Sequence, residues 1–148
     1  MKGKFTLIKL FSKVHGYLYH VSRGRIAATS GSNLSFLLLT TIGKKSGKHR
    51  RVPLTAIPYR ESYVVVASFG GSPVSPSWLT NIRHNPTVQI RIGPVVRTGL
   101  SAIIEPSDPL YDELWAKAIA IYKGYDKYKQ ATSREISLVI LTPVNSQP

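Results

Sequence analysis

A chain of 148 residues with 43% apolar residues and 9% aromatics can bury a core of its own, so one domain over residues 1–148 is expected. It has no cysteine, which excludes a disulfide scaffold, a thiol nucleophile and thiolate-held metal; His15, His20, His49 and His84 show no ligand spacing beside a carboxylate, so no metal is expected. Twenty Lys and Arg oppose seven Asp and Glu for a net charge of +13, and no acid precedes Glu61, so the first half projects a positive field toward nucleic acid, anionic lipid or a phosphorylated ligand.

From Lys4 to Val21 the apolar residues Leu7, Phe11, Val14, Leu18 and Val21 recur at helical spacing, with Lys4, Lys9 and Lys13 largely elsewhere. Residues 1–25 therefore read as an amphipathic basic helix that docks on the domain or lies on an anionic membrane surface. Lys9 and Lys13 interrupt any export-signal core, which points to a cytoplasmic protein, with the helix offering attachment at the inner face of the membrane. Arg23 to Asn33 reads as a linker, and Ser35 to Ile42 as a buried strand.

The turn Gly43 to Arg51 (GKKSGKHRR) carries five Lys or Arg and separates that strand from Val52 to Tyr59. Arg60-Glu61 then turns the chain into Tyr63 to Ser68, and three successive antiparallel strands is the simplest reading. Gly70-Gly71 ends the third, and Ser75-Pro76 opens a short helix, Ser77 to His84, stopped by Asn85-Pro86. Thr87 to Ile92 and Val96 to Ile104 form a hairpin across Gly93-Pro94, with Gly99 marking a bulge or a close backbone approach. A helix from Asp108 to Tyr122 is expected, capped by Asp108 with Pro109 at its first position and an inner stripe of Leu110, Leu114, Ala118 and Ile121. Ser137 to Thr142 is a last strand. The fold class is mainly β with helices: a small barrel of about six antiparallel strands, with its core over 34–143 and helices at the start, middle and late chain.

Lys44, Lys45, Ser46 and Arg50 suit charge-assisted hydrogen bonds to phosphate oxygens, although a solvated hairpin or a nonspecific nucleic-acid patch would use the same residues. The glycine spacing is not that of a Walker loop. Gly70 and Gly71 present no side chains and let a backbone approach a flat ligand; an ordinary turn has the same composition. Trp78 reads first as a core anchor, and Asn81 is the polar residue on an element otherwise devoted to packing. Tyr122, Tyr125 and Tyr128 recur at i, i+3 and i+6, within roughly a 120° wedge if one helix runs through Gly124. That wedge lines a pocket or forms a packing stripe. No Ser/His/Asp triad and no paired carboxylates are legible.

Taken together, LTTIGKKSGKHRRVPL, VVVASFGGSPVSPSWLTNIRHNPTVQIRIG and YKGYDKYKQATSREISLVILTP resemble the deazaflavin (coenzyme F-420)-dependent nitroreductase family of split β-barrel, FMN-binding split-barrel-like oxidoreductases. The resemblance covers about Leu38 to Pro143. It implies hydride transfer from reduced coenzyme F-420 to a quinone, nitroaromatic or activated enone. It also implies that Lys44, Lys45, Ser46 and Arg50 grip the cofactor phosphate, with Pro53 beginning the next strand. Ala67, Ser68, Gly70 and Gly71 would lie along the deazaflavin, supported by Trp78 and Asn81, and Ser68, Tyr122, Tyr125 and Tyr128 would face the acceptor. The chain departs from the family pattern at Phe69, where many relatives have lysine, and at Lys123-Gly124, where many have two prolines. An FMN-dependent relative, or a non-catalytic binder of deazaflavin, lipid or another anion, is the alternative. A specific nucleic-acid partner is not expected, because the aromatics are not interleaved with the basic residues. The oligomeric state is open.

Overall fold

The computed structural model describes residues 29–30 and 34–144; the amphipathic segment expected over 1–25 lies outside the described residues. The strands are β1 (Thr29–Ser30), β2 (Leu34–Ile42), β3 (His49–Thr55), β4 (Ile57–Tyr59), β5 (Ser62–Val66), β6 (Thr87–Ile92), β7 (Val95–Ile104) and β8 (Leu138–Pro143). The helices are α1 (Ser77–His84), α2 (Tyr111–Ile121) and α3 (Gly124–Gln130), with a 3-10 turn at Phe69–Gly71. All strand pairs are antiparallel, in the order β1-β2-β6-β7-β8-β5-β4, and β3 pairs with β2 outside that path.

The sheet curls around an interior filled by Leu37 and Leu39 of β2, Val65 of β5, Val88 and Ile90 of β6, and Val139 and Leu141 of β8. Trp78, Leu79 and Ile82 of α1 complete this cluster. Val52 and Leu54 of β3 and Tyr63 of β5 pack on the same interior, yet among the described residues no ladder joins β3 to β5. The barrel is split there. A second core lies on the other side of the sheet, where Val64, Val66 and Leu138 meet Tyr111, Leu114, Trp115 and Ala118 of α2 and Tyr125 of α3. Because strand side chains alternate, β5 and β8 bury both faces, which explains why YVVVAS and SLVILT are apolar without alternation.

The expected six strands become eight among the described residues. Val52 to Tyr59 is not one strand: Ala56 donates its N–H to the Ser35 carbonyl (2.8 Å), and beyond it the chain leaves β2 and pairs with β5 instead. The three expected antiparallel strands are therefore four, paired antiparallel as β2–β3 and β4–β5, and β2 takes β6 as a further neighbour. β3 also starts earlier, with His49, Arg50 and Arg51 paired to Ile42, Thr41 and Thr40. β1 falls in the expected linker.

The late helix starts at Tyr111, after a turn in which Asp108 Oδ1 accepts the Leu110 N–H (2.9 Å), so Asp108 shapes the approach and does not cap the helix. Its buried stripe is Tyr111, Leu114, Trp115 and Ala118, and Ile121 is exposed. Gly99 continues the β6–β7 register without a bulge; a Cβ there would lie 2.6 Å from Ile90 Cδ1 and 3.1 Å from the Thr142 carbonyl, so a side chain would require Ile90 to shift. Among the described residues no helix is long and apolar enough to cross a membrane.

Candidate functional site

The basic turn is a tight closure at the end of β2. Gly43 donates its N–H to the Lys48 carbonyl (2.8 Å) and Gly47 to the Gly43 carbonyl (2.8 Å), with Gly47 in the left-handed region at φ 66°. The Ser46 hydroxyl oxygen accepts from the Lys48 N–H (3.2 Å) and from Arg50 Nη2 (3.4 Å). Lys44, Lys45, Ser46, Lys48 and Arg50 are all exposed. Alternation along β3 sets Arg50 on the face of Val52 and Leu54, toward the interior, and sends Arg51 and Pro53 to the opposite face. Pro53, opposite Leu38, is thus not grouped with Arg50.

Asn81 connects this turn to the barrel. It is 7% exposed, its Oδ1 accepts the Lys44 N–H (3.0 Å), and its Nδ2 donates to Thr41 Oγ1 (3.0 Å). A backbone N–H can only donate, so the amide orientation is dictated by Lys44. The polar residue on α1 therefore holds the first lysine of the turn in register with a buried threonine of β2. Trp78, on the same helix, is buried in the interior cluster as an anchor.

The segment Ala67–Ser72 follows β5 and leads toward α1. Phe69, Gly70 and Gly71 occupy the left-handed region in succession (φ 45°, 62° and 76°). A Cβ on Gly71 would lie 2.8 Å from the Tyr128 carbonyl and 2.9 Å from Ala131 Cβ. Glycine is required there for the approach of α3, a different reason from approach by a ligand. Ser68 is buried, and its carbonyl accepts from Arg134 Nη2 (2.9 Å). Arg134 also donates to the carbonyls of Ala67 (3.2 Å) and Ser72 (3.1 Å).

Tyr122, Tyr125 and Tyr128 do converge, but not on one helix. α2 ends at Ile121, Tyr122 is extended, and a new helix starts at Gly124. The Tyr122 ring folds back so far that a Cβ on Gly124 would overlap it. Its hydroxyl pairs with that of Tyr128 (3.1 Å), and ring centroids are 5.1 Å apart for Tyr122–Tyr125, 6.1 Å for Tyr122–Tyr128 and 6.3 Å for Tyr125–Tyr128. Tyr125 is buried and its phenol is pushed up by burial, opposed by hydrogen bonding with Thr55. Burial, with the hydrogen bond and charge of Tyr122 behind it, raises Tyr128 to about 12. Lys129 turns away from this cluster, over the rings of Trp115 (4.6 Å) and Tyr111 (5.5 Å).

Two groups emerge: a cationic turn tied to α1 by Asn81, and a glycine-bearing segment packed on a tyrosine cluster. The exposed cations and Ser46 suit an anionic phosphate, and the side-chain-free backbone at Gly70 suits contact with a flat ring. Thr41 and Arg134 escape sequence reasoning. Thr41 sits in an apolar strand ending, and Arg134 lies inside the YKGYDKYKQATSREISLVILTP segment as one more cation in a basic chain.

A family model described as F420H(2)-dependent quinone reductase matches residues 12–143. An F420H(2)-dependent quinone reductase of Mycobacterium tuberculosis is 37% identical over 132 residues, 88% of each chain. A second protein of that organism, described as a putative reductase of the same kind, is 34% identical over 80% of this chain and 98% of its own length. Among solved structures, an F420-H2 dependent reductase, FDR-A, superposes with a TM-score of 0.63 at 37% identity, covering 72% of this chain and 92% of that one. A chain described as a domain-swapped dimer superposes at 0.67 with 31% identity, covering 84% and 92%. HutZ, the heme storage protein of Vibrio cholerae, shares the fold at 16% identity, with a TM-score of 0.59 over 75% of this chain and 82% of its own.

Proposed function

Because the chain belongs to the F420H(2)-dependent quinone reductase family, we propose that it reduces quinones with reduced coenzyme F-420. We extend the acceptor class to nitroaromatics and activated enones. The bound coenzyme supplies a hydride, and a proton completes the two-electron reduction of a quinone to its hydroquinone. The observation that supports this reading is the packing of Gly71 against the Tyr128 backbone, which joins the glycine-bearing segment to the tyrosine cluster.

Lys44, Lys45, Ser46 and Arg50 hold the coenzyme's phosphodiester, and the surrounding positive field attracts its oligoglutamate tail. Asn81 keeps the turn in place, and Trp78 anchors the helix that carries Asn81. Ala67, Ser68 and Gly70 line the ring, with Gly71 contributing only backbone there because its open side is taken by α3. Tyr122, Tyr125 and Tyr128 shield the acceptor from water, and the Tyr128 phenol, raised to about 12, stays protonated at neutral pH and donates a hydrogen bond to the acceptor oxygen. The protein's task is to hold donor and acceptor carbons at roughly 3–3.5 Å. We place the protein in the cytoplasm, attached peripherally to the inner membrane face through residues 1–25.

Side-by-side titration with coenzyme F-420, FMN and NADPH tests the cofactor assignment. Oxidation of reduced coenzyme F-420 only after addition of menadione or a nitroaromatic supports the enzyme; tight binding without turnover refutes it. Sedimentation with anionic vesicles that is lost on deleting residues 1–25 supports the attachment, and intact protein that never pellets with them overturns it.

A further inference from the structure

We propose that Arg134 is the positioning residue that sets the Ala67–Ser72 segment for the coenzyme ring and locks it to the tyrosine wall. The inference rests on the functional reading above, because it assigns Arg134 a role toward the same site.

The guanidinium meets the segment at both ends. Nη1 donates to Ala67 (3.2 Å), Nη2 to Ser68 (2.9 Å) and Nε to Ser72 (3.1 Å), and Nη1 also reaches the Glu135 carbonyl (3.3 Å). These carbonyls flank three successive left-handed residues, one of them Phe69, a conformation that a non-glycine residue adopts only when its surroundings impose it. Arginine is suited to this because its donors form a rigid planar fork that spans separated acceptors; a lysine ammonium is a single point and cannot.

Arg134 itself lies in the turn that leaves α3. It follows α3 closely, and its N–H donates to Thr132 Oγ1 (3.1 Å). The segment touches α3 a second time through Gly71, whose position leaves no room for a Cβ beside Tyr128 and Ala131. A displacement of Arg134 therefore moves the segment relative to Tyr128. The acceptors its guanidinium meets are all backbone carbonyls, and among the described residues no carboxylate forms an ion pair with it, so its role is geometric.

The test compares parent, Arg134→Ala, Arg134→Lys and Tyr111→Phe in coenzyme F-420 titrations, thermal melts and amide hydrogen exchange. Tyr111→Phe is the stability control, since it removes the buried bond from the Tyr111 hydroxyl to the Ile136 carbonyl (2.6 Å) outside the site. We expect both Arg134 variants to bind coenzyme about tenfold more weakly or worse. Methylguanidinium should restore affinity to Arg134→Ala and methylammonium should not. Exchange should rise at residues 67–74 while β5 and β8 stay protected, and Tyr111→Phe should lose stability yet keep affinity. Parent affinity and parent exchange in a folded Arg134 variant overturn the proposal, as does equal rescue by the two cations. If Arg134→Ala fails to fold, Arg134→Lys decides alone. If the parent binds no coenzyme F-420, the functional reading fails, and exchange at 67–74 then shows whether Arg134 still holds the segment.

Discussion

Replacing Asn81 by alanine separates the stability of the barrel from the placement of its cationic turn. The substitution removes two hydrogen bonds, one to Thr41 Oγ1 and one from the Lys44 N–H, each 3.0 Å. Thr41 is 1% exposed, so its hydroxyl is stranded without water, whereas the Lys44 N–H is only part-buried and recovers some hydration. An orphaned buried polar group costs about 1–3 kcal/mol, which places Thr41 toward the upper end and Lys44 toward the lower, about 2–4 kcal/mol together. For a domain of this size each kcal/mol moves Tm by roughly 2–4 °C, so Asn81→Ala should melt roughly 5–15 °C below the parent. Thr41→Val is the partner experiment, because it strands the Asn81 amide but leaves the tether to Lys44. It should destabilise by about 1–3 kcal/mol and keep most coenzyme affinity. Asn81→Ala should lose affinity as well, because a released turn no longer presents its lysines together. The double variant should cost clearly less than the sum of the two, since both singles remove one shared bond. Urea unfolding and coenzyme titration on the four proteins measure this. A strictly additive cycle, or an Asn81→Ala protein within about 0.5 kcal/mol of the parent, would refute the tethering argument.

Lys45→Glu with Arg50→Glu should weaken coenzyme F-420 binding severely without unfolding the protein, at ~1.5–3 kcal/mol per lost charged hydrogen bond; an unchanged Kd in the folded double variant removes the turn from the site. Tyr125→Phe or Tyr128→Phe should keep coenzyme affinity and lose turnover by roughly tenfold, about 1.4 kcal/mol of transition-state stabilisation, and parent-like rates in both and in Tyr122→Phe would reduce the cluster to packing. Tyr128 titrates at about 12 when folded against 10.0 as its ordinary value, so the folded state holds the proton more tightly. Its stability contribution is complete below pH 10 and is lost as pH rises toward 12, a decline that urea unfolding should find reduced in Tyr128→Phe. Gly124→Ala should leave the backbone folded but displace the Tyr122 ring, breaking the Tyr122–Tyr128 pair; an unmoved ring, read by tyrosine NMR shifts, contradicts the overlap described for that position.

Much of the fold is legible along the chain because its signals are local. Apolar runs bounded by Gly, Pro and charged turns mark β2, β5, β6, β7 and β8, and Ser75-Pro76 with Asn85-Pro86 brackets α1 at its observed ends. The capacity of a cationic turn to hold an anion and the packing of Trp78 are also local inferences, since charge density and residue type announce them without a partner; of the two, the structure shows the burial of Trp78. The split of Val52 to Tyr59 is different in kind: it depends on Ala56 finding the Ser35 carbonyl, a contact that no periodicity encodes. The same holds for the tyrosines, whose spacing suggested one helix; they converge because the chain breaks at Tyr122 and Gly124 leaves space for a ring. Asn81 and Arg134 show the general reason. Asn81 stands out as polar on an apolar helix, but its partners lie 37 and 40 residues away, and those of Arg134 in the Ala67–Ser72 segment lie 62 to 67 residues away. Hydrogen bonding by side chains to distant backbone is set by where strands and helices finally pack, so residue type alone announces the capacity to donate and only the tertiary structure chooses the acceptor.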